Sequence, residues 1–132
     1  MDTVTNSVEK ILVVDDDKDY LEVLSDLLKE HGYGVICCSS SLNALEIVSK
    51  MLFQCVLLDY RMPFLDGQDV LRLVHARFPN IPVIMCSGFI GDQEPAFVQA
   101  GAFQVLHKPF EQQALLHTIR KAIGRDNQPS PN

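Results

Sequence analysis

The sequence predicts a doubly wound α/β domain, a five-stranded parallel sheet with helices on both faces. Five short runs are continuously apolar but for Gln104 and rich in β-branched residues, at positions 11–14, 35–38, 55–58, 81–86 and 103–106. Segments with helical spacing of apolar residues follow each run, and polar residues suited to chemistry stand just beyond the run ends. Strands that read as unbroken apolar runs are covered on both faces, whereas half-exposed strands alternate.

The elements follow in order. After the first run come Asp15, Asp16 and Asp17, then Leu21, Leu24 and Leu28 at i, i+3 and i+7, with Gly32 as the C-terminal stop. Leu42, Leu45 and Val48 form the apolar stripe of the second helix. Asp59 follows the third run. The third helix carries Val70, Leu71, Val74 and Phe78, opened by Asp66 and Gly67 and closed before Pro79. Ser87 follows the fourth run, and a short helix over 92–100 holds Pro95 in its first turn, where a missing N–H is tolerated. The fifth run leads to Lys108, and Leu115, Leu116, Ile119 and Ile123 give the last helix its stripe. Such alternation implies right-handed crossovers and parallel strands.

The chain has 132 residues, enough for one domain, and a hydrophobic fraction of 47% supports a core. We place the domain at residues 9–124, with 1–8 and 125–132 as flexible tails; QPSP in the second fits a linker or a frayed end. A net charge of -6 repels phosphate backbones and anionic lipid, so no direct nucleic-acid or membrane binding is expected. No apolar run approaches the roughly 20 residues of a spanning helix. The opening MDTVTNSVEK lacks a secretory pattern, which favours the cytoplasm. Cys37, Cys38, Cys55 and Cys86 make no CxxC pair and sit in apolar runs, so they read as buried, reduced thiols.

In an open parallel sheet the carboxyl ends of the strands share one edge, where ligands bind. Asp15, Asp16, Asp59, Ser87 and Lys108 therefore converge on one crevice. Three carboxylates there repel one another, and one lysine cannot neutralise three, whereas a hard divalent ion such as Mg²⁺ can. A carboxylate can act as nucleophile and form an acyl phosphate, with metal, ammonium and hydroxyl holding the phosphoryl oxygens. Asp59 stands alone at a central strand end and is the best nucleophile candidate; Asp15 and Asp16 are paired for metal. Asp17 reads as an N-cap. The acidic run 15–19 lacks the Gly and Glu positions of an EF-hand, and His31, His75, His107 and His117 have no metal-ligand spacing.

The runs KILVVDDD, VLLDYRMPFLDG, VIMCSG and AGAFQVLHKPF, in this order, resemble the receiver domain of bacterial two-component response regulators over residues 9–124. The resemblance implies a flavodoxin-like (βα)5 fold with strand order 2-1-3-4-5. It implies phosphorylation of Asp59, with Asp16 binding Mg²⁺ directly, Asp15 largely through water, and the Arg61 backbone carbonyl completing the set. Ser87 is then the switch hydroxyl and Lys108 its cationic partner, with a cis Lys108–Pro109 peptide. The implied partners are a sensor histidine kinase or phosphotransfer domain, and an output domain or effector on the helix 4–strand 5–helix 5 face, where Ile90, Phe97, Gln104 and His107 are expected to be exposed. A homodimer is compatible with this reading.

The sequence departs from the family pattern at Val105, where an aromatic residue is usual; Phe103 reads as core rather than as its replacement. Arg61 and Phe89 occupy positions that overhang the site, and a bulky Phe89 predicts a long-lived phosphoform. The domain is expected to be a signalling phosphoacceptor with self-catalysed phosphorylation and dephosphorylation, not an enzyme in its own right. Two alternatives stand beside it. One is a pseudo-receiver docking scaffold, favoured only by Val105. The other is an aspartate-nucleophile phosphatase of haloacid dehalogenase type, whose DxD signature Asp15 and Asp17 mimic without the usual following residues or room for a cap.

Overall fold

The computed structural model describes residues 8–61, 66–88 and 93–124. Within them the chain alternates strictly: β1 (Lys10–Val14), α1 (Lys18–Glu30), β2 (Gly34–Cys38), α2 (Ser41–Lys50), β3 (Cys55–Asp59), α3 (Gly67–Arg77), β4 (Val83–Ser87), α4 (Gln93–Gln99), β5 (Gln104–His107) and α5 (Gln112–Ile123). All strand pairs are parallel, in the order β2-β1-β3-β4-β5. The doubly wound fold and its strand order are as the sequence predicts. Among the described residues, no helix is long and apolar enough to cross a membrane.

The central strands are apolar on both sides because two separate cores press on them. Leu12, Val14, Val56, Leu58, Val83 and Met85 pack with Ala44 and Val48 of α2, Val70, Leu71 and Val74 of α3, and Phe97 of α4. The alternate residues Ile11, Val13, Cys55, Leu57, Ile84 and Cys86 pack with Leu21, Leu24 and Leu28 of α1 and Leu115, Leu116 and Ile119 of α5. Each fully buried Leu or Ile contributes about 1.5–3 kcal/mol of transfer free energy, so the two layers supply most of the drive to fold.

Several boundaries and burials differ from the sequence reading. The fourth strand starts at Val83 rather than at 81, because Pro82 has no N–H for the ladder and the Ile81 N–H turns back to the Phe78 carbonyl. Leu42 is 54% exposed, since the buried stripe of α2 runs through Ser41, Ala44 and Val48 and leaves Leu42 one position, about 100°, off it. Cys37 is exposed rather than buried, because β2 is an edge strand that its neighbours cover incompletely. The other three cysteines are buried as expected, and burial pushes the Cys86 thiol up to about 12. Phe103 is not core: it lies in the turn before β5 and is 43% exposed.

The starts of α1, α2 and α3 are set by side-chain caps, whereas the α5 N-cap, Glu111, makes no side-chain cap bond. Asp17 accepts from the Tyr20 N–H, Ser40 from that of Asn43 and Asp66 from that of Asp69. At α3 the cap is tied to the sheet. The Gly67 N–H donates to the Tyr60 carbonyl at 2.7 Å, and a Cβ there would collide with the Asp59 carbonyl oxygen and lie 2.7 Å from Tyr60 Cα. Only glycine lets α3 approach the end of β3 this closely. Gly67→Ala is expected to cost about 1–3 kcal/mol through overpacking, read as a lower urea midpoint at unchanged slope.

Candidate functional site

The parallel sheet brings the strand ends together as the sequence implies. Asp59 is the last residue of β3 and Ser87 the last of β4, one step further into the strands than the apolar runs suggest. Asp15 and Asp16 directly follow β1. One carboxylate oxygen from each of Asp15, Asp16 and Asp59 lies within 4.8 Å of the others. Asp15, Asp59 and Ser87 are buried, while Asp16 is exposed.

Lys108 closes the cluster from β5. Its Nζ donates to Asp15 Oδ2 at 2.8 Å and to Asp59 Oδ1 at 2.9 Å. The Lys108–Pro109 peptide is cis, as expected. The Lys108 N–H donates to the Ser87 carbonyl at 2.7 Å, so the β4 and β5 ends are tied at the site. Burial pushes the Asp59 carboxyl above the usual range; the Lys108 hydrogen bond opposes this and Asp15 adds to it. For Lys108 burial works against the charge, but hydrogen bonds to Asp15 and Asp59 outweigh it and hold the ammonium above its ordinary range.

The donor set fits a hard divalent cation. Three carboxylates face one ammonium, which leaves two negative charges uncompensated within the cluster. All the side-chain donors are oxygens, the chemistry Mg²⁺ prefers. Arg61 lies two residues past the end of β3 and is exposed.

Of the other sequence expectations, Asp17 is the N-cap of α1, and its own N–H donates to Asp15 Oδ1 at 3.0 Å, so the cap also fixes the Asp15 carboxylate. Val105 is buried in the core with Val83, Met85 and Phe97. On the α4–β5–α5 face the expectation for Phe97 is overturned: it is 1% exposed, its ring 5.0 Å from that of Tyr60. Helix α4 turns Phe97 inward to roof the sheet and leaves Val98 outside. Gln104 and His107 are half-buried and bridge the face, Gln104 to Thr118 of α5 and His107 Nε2 to Glu94 of α4. Phe89 and Ile90 lie outside the described residues.

One contact was not foreseen. Lys108 Nζ sits 4.5 Å from the centroid of the Tyr20 ring. The only sequence signal for it is the cap itself, since an Asp N-cap orients the residue three positions later in the first turn of α1.

A family model described as the response regulator receiver domain matches residues 11–120. Response regulator protein FleR of Pseudomonas aeruginosa is 35% identical over 118 residues, 88% of this chain and 25% of that protein. Response regulator protein TmoT of Ectopseudomonas mendocina is 40% identical over 115 residues, 86% of this chain and 52% of that one. The chain thus spans only part of the length of these relatives. Among solved structures, the receiver domain of sensor histidine kinase PA1611 from Pseudomonas aeruginosa superposes with a TM-score of 0.82 at 26% identity, covering 89% of this chain and 99% of that one. In that structure a magnesium ion is coordinated in the active-site cleft.

Proposed function

Because the chain belongs to the response regulator receiver domain family, we propose that it is a phosphoacceptor whose Asp59 takes a phosphoryl group from the phosphohistidine of a sensor histidine kinase or phosphotransfer domain. Receiver domains are signalling domains of two-component systems and bind Mg²⁺ in an acidic cluster. The observation that carries the residue-level reading is the Lys108 ammonium bonded at once to Asp15 and Asp59, beside Asp16.

Asp15, Asp16 and Asp59 would hold the metal, with the Arg61 carbonyl as a further ligand. When bound, Mg²⁺ supplies positive charge that offsets the carboxylates and the incoming phosphoryl oxygens. The chain's own groups do the rest. An Asp59 carboxylate oxygen attacks phosphorus in line, the phosphorus–nitrogen bond of the donor breaks, and the freed imidazole leaves to take up a proton. Lys108 exchanges its bond to Asp59 for one to a phosphoryl oxygen, and the Ser87 hydroxyl donates to another. The same Asp59 phosphate is the substrate for hydrolysis, so the domain resets itself without turning over a separate substrate.

The outward face belongs to α4, β5 and α5. The Glu94–His107 and Gln104–Thr118 bonds join the three elements, and Val98 and Phe103 give the face exposed apolar surface. We place the contact with an output domain or effector there.

The test is intact mass after incubation with Mg²⁺ and a small acyl-phosphate donor. A single phosphoryl adduct is expected, absent when the metal is chelated and removed by neutral hydroxylamine, as an acyl phosphate is. No adduct from the folded protein with any donor would favour the docking scaffold; steady release of inorganic phosphate would favour the phosphatase.

A further inference from the structure

Lys108 has somewhere else to go. Its side chain is 25% exposed and lines, with Tyr20, Val23, Leu27, Pro109 and Phe110, a largely apolar groove of about 400 Å³ between α1 and the start of α5. A lysine stem lies readily along such a surface while its ammonium reaches for water. Two carboxylates hold the ammonium in the site, yet Asp59 must release it when a phosphoryl group arrives. During that exchange Asp15 keeps one bond to the ammonium, and the Tyr20 ring beside Nζ is a further group that attracts the charge without competing for the metal or the phosphoryl group.

The contacts around Lys108 form a closed ring. Asp15 Oδ1 accepts from the Asp17 N–H at 3.0 Å, Asp17 Oδ1 accepts from the Tyr20 N–H at 3.1 Å, the Tyr20 ring faces Lys108 Nζ at 4.5 Å, and Nζ returns to Asp15 Oδ2 at 2.8 Å. The loop after β1 thus sets the acid, the helix cap and the ring from one short stretch of backbone. The ring stays a neutral phenol, since burial pushes its hydroxyl up to about 12, so its negative face remains available to a cation.

From this ring of contacts, and resting on the phosphoacceptor reading, we infer that Tyr20 is a positioning residue: its aromatic face holds the Lys108 ammonium on the acid side of the groove while Asp59 is being phosphorylated. The aromatic face is what matters, not the hydroxyl. Leucine at the same place would fill the apolar space without attracting the charge.

The test compares wild type, Tyr20→Phe and Tyr20→Leu by two readouts. In NMR spectra of the metal-free protein, the ε-methylene protons of Lys108 are expected to show an upfield ring-current shift in wild type and Tyr20→Phe, lost in Tyr20→Leu. Phosphoryl-adduct formation from a saturating small donor is expected to slow roughly three- to tenfold in Tyr20→Leu, the worth of a partly desolvated cation–π contact, and to be restored in Tyr20→Phe, at equal thermal midpoints. A missing ring-current shift in wild type overturns the inference, as do equal adduct rates in wild type and Tyr20→Leu. Slowing in Tyr20→Phe equal to that in Tyr20→Leu also overturns it, by assigning the effect to the hydroxyl. A wild type that takes no adduct overturns the phosphoacceptor reading instead, and the NMR arm still decides whether Tyr20 sets where the ammonium lies.

Discussion

Asp59→Asn is expected to take no phosphoryl adduct and, in metal-free buffer, to melt at a higher temperature than wild type. The first effect follows from chemistry, because an amide cannot act as the carboxylate nucleophile. The second follows from the crowded charge. Asp59 is buried among Asp15 and Asp16, and its carboxyl is held above the usual range even with Lys108 bonded to it. A carboxyl raised in the folded state contributes stability at low pH and loses it as pH rises through the folded value. The advantage of Asp59→Asn should therefore be smaller at about pH 4 than at about pH 7, because the wild-type carboxyl takes up its proton more readily as pH falls. Adding Mg²⁺ should reverse the order, because wild type gains a ligand set that the variant has lost and binding stabilises by mass action. Differential scanning calorimetry at both pH values, with and without Mg²⁺, reads all of this. A variant that melts lower than wild type without metal at about pH 7 would mean that the Lys108 bond outweighs the repulsion.

The sequence carries the site more completely than it carries the surface, for a physical reason. Asp15, Asp16, Asp59, Ser87 and Lys108 were legible because apolar runs mark parallel strands, and parallel strands put their ends on one edge. Once the strands are recognised, the topology places those residues whatever the exact boundaries; the one-residue slips at Asp59 and Ser87 changed nothing. Burial at the margins follows a different rule. Leu42, Phe103 and Phe97 were misplaced because an apolar side chain at the end of a stripe is turned in or out by where the helix or strand starts, and propensity does not fix that start. Cys37 was misplaced because its apolar run was read as covered on both faces, although the strand order 2-1-3-4-5 puts β2 at the sheet edge, where cover is incomplete. Tyr20 was missed for a third reason: its partner arrives from β5, and no local pattern announces a ring meeting a distant ammonium.

Replacing Lys108 with Met is expected to move metal binding and phosphorylation in opposite directions, which separates a chemical role from a structural one. Methionine keeps a long unbranched side chain against the groove but carries no charge. The ammonium donates to Asp15 and Asp59 at 2.8 and 2.9 Å, so it competes with a cation for the same oxygens. Without it, Mg²⁺ affinity should rise, read by calorimetric titration. The metal-free protein should lose about 1–3 kcal/mol, the usual worth of hydrogen bonds to charged groups left unmade. Adduct formation at saturating Mg²⁺ should fall by roughly 10²–10³, since the transferring phosphoryl oxygens lose a preorganised cationic donor. If affinity and rate fell together, the lysine would be holding the fold of the site rather than meeting the phosphoryl group. Tighter metal with slower transfer can arise only if the ammonium opposes the metal in the resting site and helps the phosphoryl group in the reacting one. On the phosphoacceptor reading both are expected, because the carboxylates that bind Lys108 are those that would hold the metal and, at Asp59, the phosphoryl group.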